Sequence, residues 1–199
     1  MIPRITQQIK PVYILVMMIA IYLVFGIWEI MRKSLTFDEL AHLPGGYTYL
    51  VEHDYRINAQ DHPPLAKMIA AVPLLFMKPS TFTHLNEWKN GAQWGYGNQF
   101  LYHNRVSHYT MLNAARVTML LVSVLLGLLM YRWTKELAGT TAGLISAGLF
   151  YAYPGFIGHA GLVTTDVPMA LALCLSMYLL YRLYTNPTRF HELLFGCSL

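Results

Sequence analysis

From Val12 to Trp28 the chain carries no charged residue, and Lys10 on one side and Arg32-Lys33 on the other bracket the run. Such a run approaches the roughly 20 apolar residues that cross a bilayer core, so it constrains the chain to fold in or against a membrane. A cleaved signal peptide is the rival reading, with Arg4 and Lys10 as its basic start. The run is long for a signal core and no A-x-A-like site follows it, so an uncleaved anchor is expected.

Composition points the same way. Charged residues make up 12% of the chain, against about 25% in an ordinary soluble domain. With 55% hydrophobic residues and a mean hydropathy of +0.39, disorder is excluded and a soluble α/β enzyme is disfavoured. Cys174 and Cys197 sit in apolar runs and offer no disulfide framework. The formal net charge of +4 is spread along the chain, with no basic run of the kind that binds nucleic acid.

Further apolar runs predict an all-α, polytopic membrane helix bundle. Four complete spans are expected at about 12–31, 112–133, 138–158 and 166–184, with a partial fifth at 191–199. The second carries Arg116 near its start. The third includes Gly139-x-x-x-Gly143, a spacing that lets membrane helices approach closely. Arg4 and Lys10, then Arg132 and Lys135, then Arg182 and Arg189 fall on one side if the spans alternate. That side is expected to be cytoplasmic. The loop 32–111 is then extracytoplasmic, with the turn from His159 to Asp166 on the same face. A chain that stops within a fifth span reads as the N-terminal part of a larger polytopic protein.

A loop of this length is expected to hold structure or function. Its first part, Thr36 to Val51, reads as an interfacial helix broken at Gly45-Gly46. Its second, Asp61-His62-Pro63-Pro64-Leu65-Ala66-Lys67 and the following apolar run, predicts an interfacial or re-entrant helix that starts at the prolines and is interrupted at Pro73. The third, Pro79 to His108, is rich in aromatics and glycine.

The polar residues carry two readings each. Thr36-x-x-Glu39 matches a capping box, which would make Asp38 and Glu39 helix-start residues. On that reading Glu39→Gln is expected to be nearly silent. The alternative is a general base with its neighbour, able to deprotonate an acceptor hydroxyl. Asp166, in Thr164-Thr165-Asp166-Val167-Pro168, either starts a helix or borders the same site as Asp38. His62 either packs against the prolines or binds phosphate or sugar. Arg56, Lys67, Arg105 and Arg116 either meet lipid headgroups or neutralise a phosphate leaving group. The tryptophans and tyrosines suit an aromatic belt at the interface. His42, His53 and His62 lack the spacing of a zinc site.

Taken in order, Phe37-Asp38-Glu39, Gly45-Gly46-Tyr47-Thr48-Tyr49-Leu50, His62-Pro63-Pro64-Leu65-Ala66-Lys67 and His159 to Asp166 resemble the N-terminal half of glycosyltransferase family 39, which holds the protein O-mannosyltransferases. The resemblance runs from about Leu35 to Leu173. It implies a GT-C type bundle and transfer of a hexosyl, mannosyl-like group from a polyprenyl-phosphate carrier to a protein or to a glycan or lipid acceptor, with inversion. It assigns Asp38 as base and Glu39 as its support, and it places His62, Lys67 and Asp166 in substrate binding, to which Arg105 is added as a candidate cation for the phosphate. It implies no cofactor. The adjacent Asp38-Glu39, unlike a spaced D-x-D, leans against a divalent metal. The lipid-linked donor, membrane lipids and the remainder of a longer protein are the implied partners. The implied location is the inner membrane of a prokaryote, with the active face outside. An inactive membrane remnant and a transporter fragment are the alternatives. No expected span carries a charge at mid-depth, which counts against the transporter.

Overall fold

The computed structural model describes residues 10–58, 60 and 62–198. Arg4, Asp61 and Leu199, each used above, lie outside the described residues. Among these residues helices are the regular secondary structure, with no strand. The elements are α1 (Pro11–Arg32), α2 (Glu39–Val51), α3 (Pro64–Ala71), α4 (Leu74–Met77), α5 (Asn86–Lys89), α6 (Gln93–Tyr102), α7 (His108–Ala152), α8 (Pro154–Ala160), α9 (Asp166–Thr185) and α10 (Arg189–Ser198).

Three helices, α1, α7 and α9, are long and apolar enough to cross a membrane, where four complete spans were expected. The difference lies in α7. Its 45 residues would extend about 67 Å if straight. Gly139 interrupts it with φ 88° and ψ 173°, a conformation that other residues rarely adopt. The chain then folds back on itself. Tyr151 donates to the Val124 carbonyl at 3.0 Å, and a Cβ on Gly143 would lie 2.9 Å from the Tyr131 carbonyl oxygen. The expected second and third spans are therefore two antiparallel arms of one element. The returning arm continues through α8, and a Cβ on Gly161 would lie 2.7 Å from Ile30 Cγ1 and 3.8 Å from the Arg116 carbonyl oxygen. The expected partial fifth span is α10, ten residues, none of them buried, that fold back so that Ser176 Oγ donates to the Ser198 carbonyl at 2.7 Å.

The segment between α1 and α7 packs against the start of α7 in one apolar core, which includes Leu43, Tyr47, Ile57, Trp88 and Phe100 with Met111 and Ala115 of α7. At its centre lies α2, buried on nearly every side rather than presenting one face. The helix runs unbroken through Pro44-Gly45-Gly46, contrary to expectation. These glycines serve close approach. A Cβ on Gly46 would stand 2.1 Å from the Lys67 carbonyl oxygen, and one on Gly45 would stand 3.0 Å from that of Ile57. Only bare backbone lets α3 cross α2 this tightly. The prolines start α3, and the apolar run breaks between Ala71 and Leu74, as expected.

Candidate active site

The site is built on the first turn of α2, and a buried ion pair holds that turn. Glu39 and Arg116 are 0% and 1% exposed. Arg116 Nε donates to Glu39 Oε1 at 2.7 Å and Nη2 to Oε2 at 2.6 Å, a two-pronged pairing. The same guanidinium donates to the carbonyls of Lys33 and Ser34, each at 2.8 Å. It thereby satisfies acceptors beyond the end of α1 that no helix can reach. Glu39 also accepts from the Thr36 amide and hydroxyl, both at 2.9 Å, and from the Val163 amide at 3.2 Å. One carboxylate thus joins the α1–α2 link, α7 and the segment before α9. Burial by itself would push Glu39 up, but the guanidinium and the donated hydrogen bonds outweigh it and hold Glu39 below the usual carboxylate range.

The Thr36 amide bond to Glu39 is the back-bonding half of a capping box. The reciprocal half is absent among the described residues, since no side chain caps the start of α2. Glu39 is therefore a cap and also a tertiary anchor. Arg116 is enclosed, so it does not face lipid headgroups.

Asp38 stands exposed immediately before this anchor. One turn on, buried His42 receives its charge and bonds through Nδ1 to the Val163 carbonyl at 3.0 Å. That carbonyl can only accept, so Nδ1 carries the proton and Nε2 keeps its lone pair when the ring is neutral. Burial first, then the charges of Lys67 and His62, pull His42 below the ordinary histidine value, against the opposing pull of Val163 and Asp38. His62 is exposed and meets the His42 ring edge-on at 5.3 Å. Lys67 is 1% exposed and donates to the carbonyls of Asn58 at 2.5 Å and His62 at 3.1 Å. It clamps the loop that presents His62.

Asp166 is the exposed first residue of α9, three positions beyond the Val163 backbone held by Glu39 and His42. Thr164 Oγ1, beside it, is buried and makes no hydrogen bond among the described residues. Arg105 is not drawn into this cluster: it is exposed and donates to the Lys78 carbonyl at the α6–α7 connection. Among the described residues, no group of three or more His, Cys, Asp or Glu side chains is placed to hold a metal ion. Sequence reasoning undervalued His42 and Arg116. An i, i+4 spacing from Asp38 and an arginine opening an apolar span were the available signals.

An apolar groove of about 440 Å³ opens beside the cluster. Pro63, Leu65 and Ile69 line one wall, Leu125 contributes from α7, and Thr165 and Met169 line the other. Pro63 follows His62 and Thr165 precedes Asp166, so both walls are flanked in sequence by polar residues.

Because hydropathy 2.4 in α1 and 2.0 in α7 accompanies this architecture, the class is that of an integral membrane protein with a folded segment between its first two long helices. The family model described as dolichyl-phosphate-mannose-protein mannosyltransferase matches residues 107–198. The chain is thus similar, over α7 to α10, to a family of membrane glycosyltransferases, and the resemblance to glycosyltransferase family 39 is shown there. No curated protein and no solved structure gives a significant match.

Asp38, Glu39, His62 and Lys67 precede the matched stretch, and Arg116 and Asp166 fall within it.

Acid is expected to loosen this region. Glu39 and His42 both have lowered values in the folded chain, so the unfolded chain binds more protons and stability rises with pH. The His42 contribution is complete above about pH 6.5 and is lost as pH falls through its lower folded value. The Glu39 contribution persists to lower pH and is lost below about pH 4.3. Thermal unfolding midpoints should fall between pH 7 and 5, and His42→Gln should flatten that interval. A wild-type midpoint that rises on acidification would refute the assignment.

Proposed function

We propose that the chain provides the catalytic part of a membrane glycosyltransferase that takes a sugar from a polyprenyl-phosphate carrier. The observation that carries the reading is an exposed carboxylate, Asp38, on an anchored turn whose His42 meets His62, the residue next to an apolar groove. The groove accepts the carrier's hydrocarbon chain. Asp38 takes the proton of the acceptor hydroxyl, and that oxygen attacks the anomeric carbon. The bond from this carbon to the phosphate oxygen breaks, and the phosphate leaves with the electron pair. Attack opposite to departure inverts the centre. His62, next to the groove, contacts the sugar or phosphate. Lys67 acts as a positioning residue through His62, and Asp166 borders the acceptor side.

The test is transfer from a set of radiolabelled polyprenyl-phosphate sugars, with the chain alone and within any longer polypeptide that contains it. Transfer with inversion supports the reading, and no transfer from any of the donors in either form removes it.

The same reading puts 32–111 outside the cell. A cysteine at Asn90 should react with an impermeant thiol reagent applied to intact cells, and one at Thr134 should not. The opposite pattern would overturn the orientation.

A further inference from the structure

We propose that a second cleft, in the folded segment between α1 and α7, binds a neutral saccharide and delivers it as the acceptor to Asp38. The inference rests on the transferase reading and names its acceptor class. The cleft has a volume of about 610 Å³, within the roughly 300–1,000 Å³ of small-ligand sites. Arg56, Asn58 and Gln60 line one side, and Lys89, Asn90 and Gln93 the other.

The chemistry of this lining selects the ligand. The exposed carboxamides of Gln60 and Asn90 supply donors and acceptors together, which suits hydroxyl groups that also do both. An anion site is disfavoured, because Arg56 is engaged by Asp54 at 2.7 Å and only Lys89 remains as an uncommitted cation among the described lining residues. An extended peptide would want a strand edge or apolar side-chain pockets. The described residues contain no strand, and the lining has no apolar side chain.

The cleft is preorganised. Asn58 Nδ2 donates to Gln93 Oε1 at 2.5 Å, which ties the two walls. Lys67 holds the Asn58 carbonyl, and the Arg56 guanidinium lies 5.2 Å from the Trp88 ring centre. Gly91, at φ 64°, turns the chain between Asn90 and Gln93.

An aromatic pair leads from the cleft to the base. Trp94 follows Gln93, and its ring lies 4.0 Å from that of Phe37, the residue before Asp38. Phe37 is 68% exposed and Trp94 38%, so the pair offers a free aromatic surface to the C–H face of a sugar ring. Its position is fixed one turn on, where a Cβ on Gly97 would stand 1.9 Å from the Leu40 carbonyl oxygen.

The test is donor-free binding to the purified 199-residue chain in lipid nanodiscs. The probes are a panel of neutral linear oligosaccharides including mannotriose, maltotriose and chitotriose, a Ser/Thr-rich decapeptide, and inorganic phosphate. Binding of at least one oligosaccharide is expected, with quenching of tryptophan fluorescence. Gln60→Ala and Asn90→Ala should each weaken it about two- to tenfold, the loss of one or two hydrogen bonds. Trp94→Ala should weaken it about tenfold, and Trp94→Leu checks the same point where the alanine variant folds poorly. The proposal is overturned if no oligosaccharide binds, if binding ignores these substitutions, or if the peptide or phosphate binds in their place. Saccharide binding without any sugar transfer would remove the transferase reading alone. Transfer to a peptide, with the cleft variants silent, would remove the saccharide assignment alone.

Discussion

Asp38→Asn is expected to lower turnover by about 10²–10⁴, the range that a positioned base contributes. Asparagine matches the shape of aspartate and is as good a residue at a helix start. The Glu39–Arg116 anchor beside it is untouched, so the variant should insert and fold. What it loses is the capacity to take the acceptor's proton. Affinity for the carrier lipid should change little, since the phosphate leaves from the far side of the anomeric carbon. The measurement is transfer rate and carrier affinity at equal amounts of folded protein. Retention of more than about a tenth of wild-type turnover, outside that range, would end the base assignment.

Glu39→Gln should act through folding. The carboxamide keeps the size of the side chain and can still accept from the Thr36 amide, so a residue that served only as a cap would tolerate the change. The tertiary structure reverses that expectation. Arg116 is enclosed, and among the described residues its charge is met by this one carboxylate. Removing one partner of a buried pair typically costs about 3–5 kcal/mol, because the other charge is left without compensation. In a chain of this size the unfolding midpoint should fall on the order of 10 °C. Replacing both partners, as in Glu39→Leu with Arg116→Met, should recover only part of the loss. The carbonyls of Lys33 and Ser34 would still lack the donors that Arg116 supplies. A midpoint for Glu39→Gln within about 2 °C of wild type, where a loss of 3–5 kcal/mol is expected, would show that the ion pair does not hold this turn.

These two substitutions also mark the boundary between what the chain's order of residues reveals and what folding adds. The uncharged run from Val12 to Trp28 reveals a membrane helix without any tertiary information, since an apolar stretch of that length has one stable solvent. The proline start of α3 is legible for a similarly local reason, because proline fixes its own backbone angle. Glycine is ambiguous in a way that proline is not. Gly45, Gly46 and Gly139 look alike in sequence, yet two lie within an unbroken helix and the third reverses one. The choice depends on whether another backbone arrives at the glycine, as Lys67 does at Gly46, or whether the glycine itself takes a positive φ. The acidic pair divides the same way. Its position after the first span could be read directly, but adjacent carboxylates carry no mark of which will be buried. Arg116 makes that decision from 77 residues away, by drawing Glu39 inward and leaving Asp38 exposed to solvent.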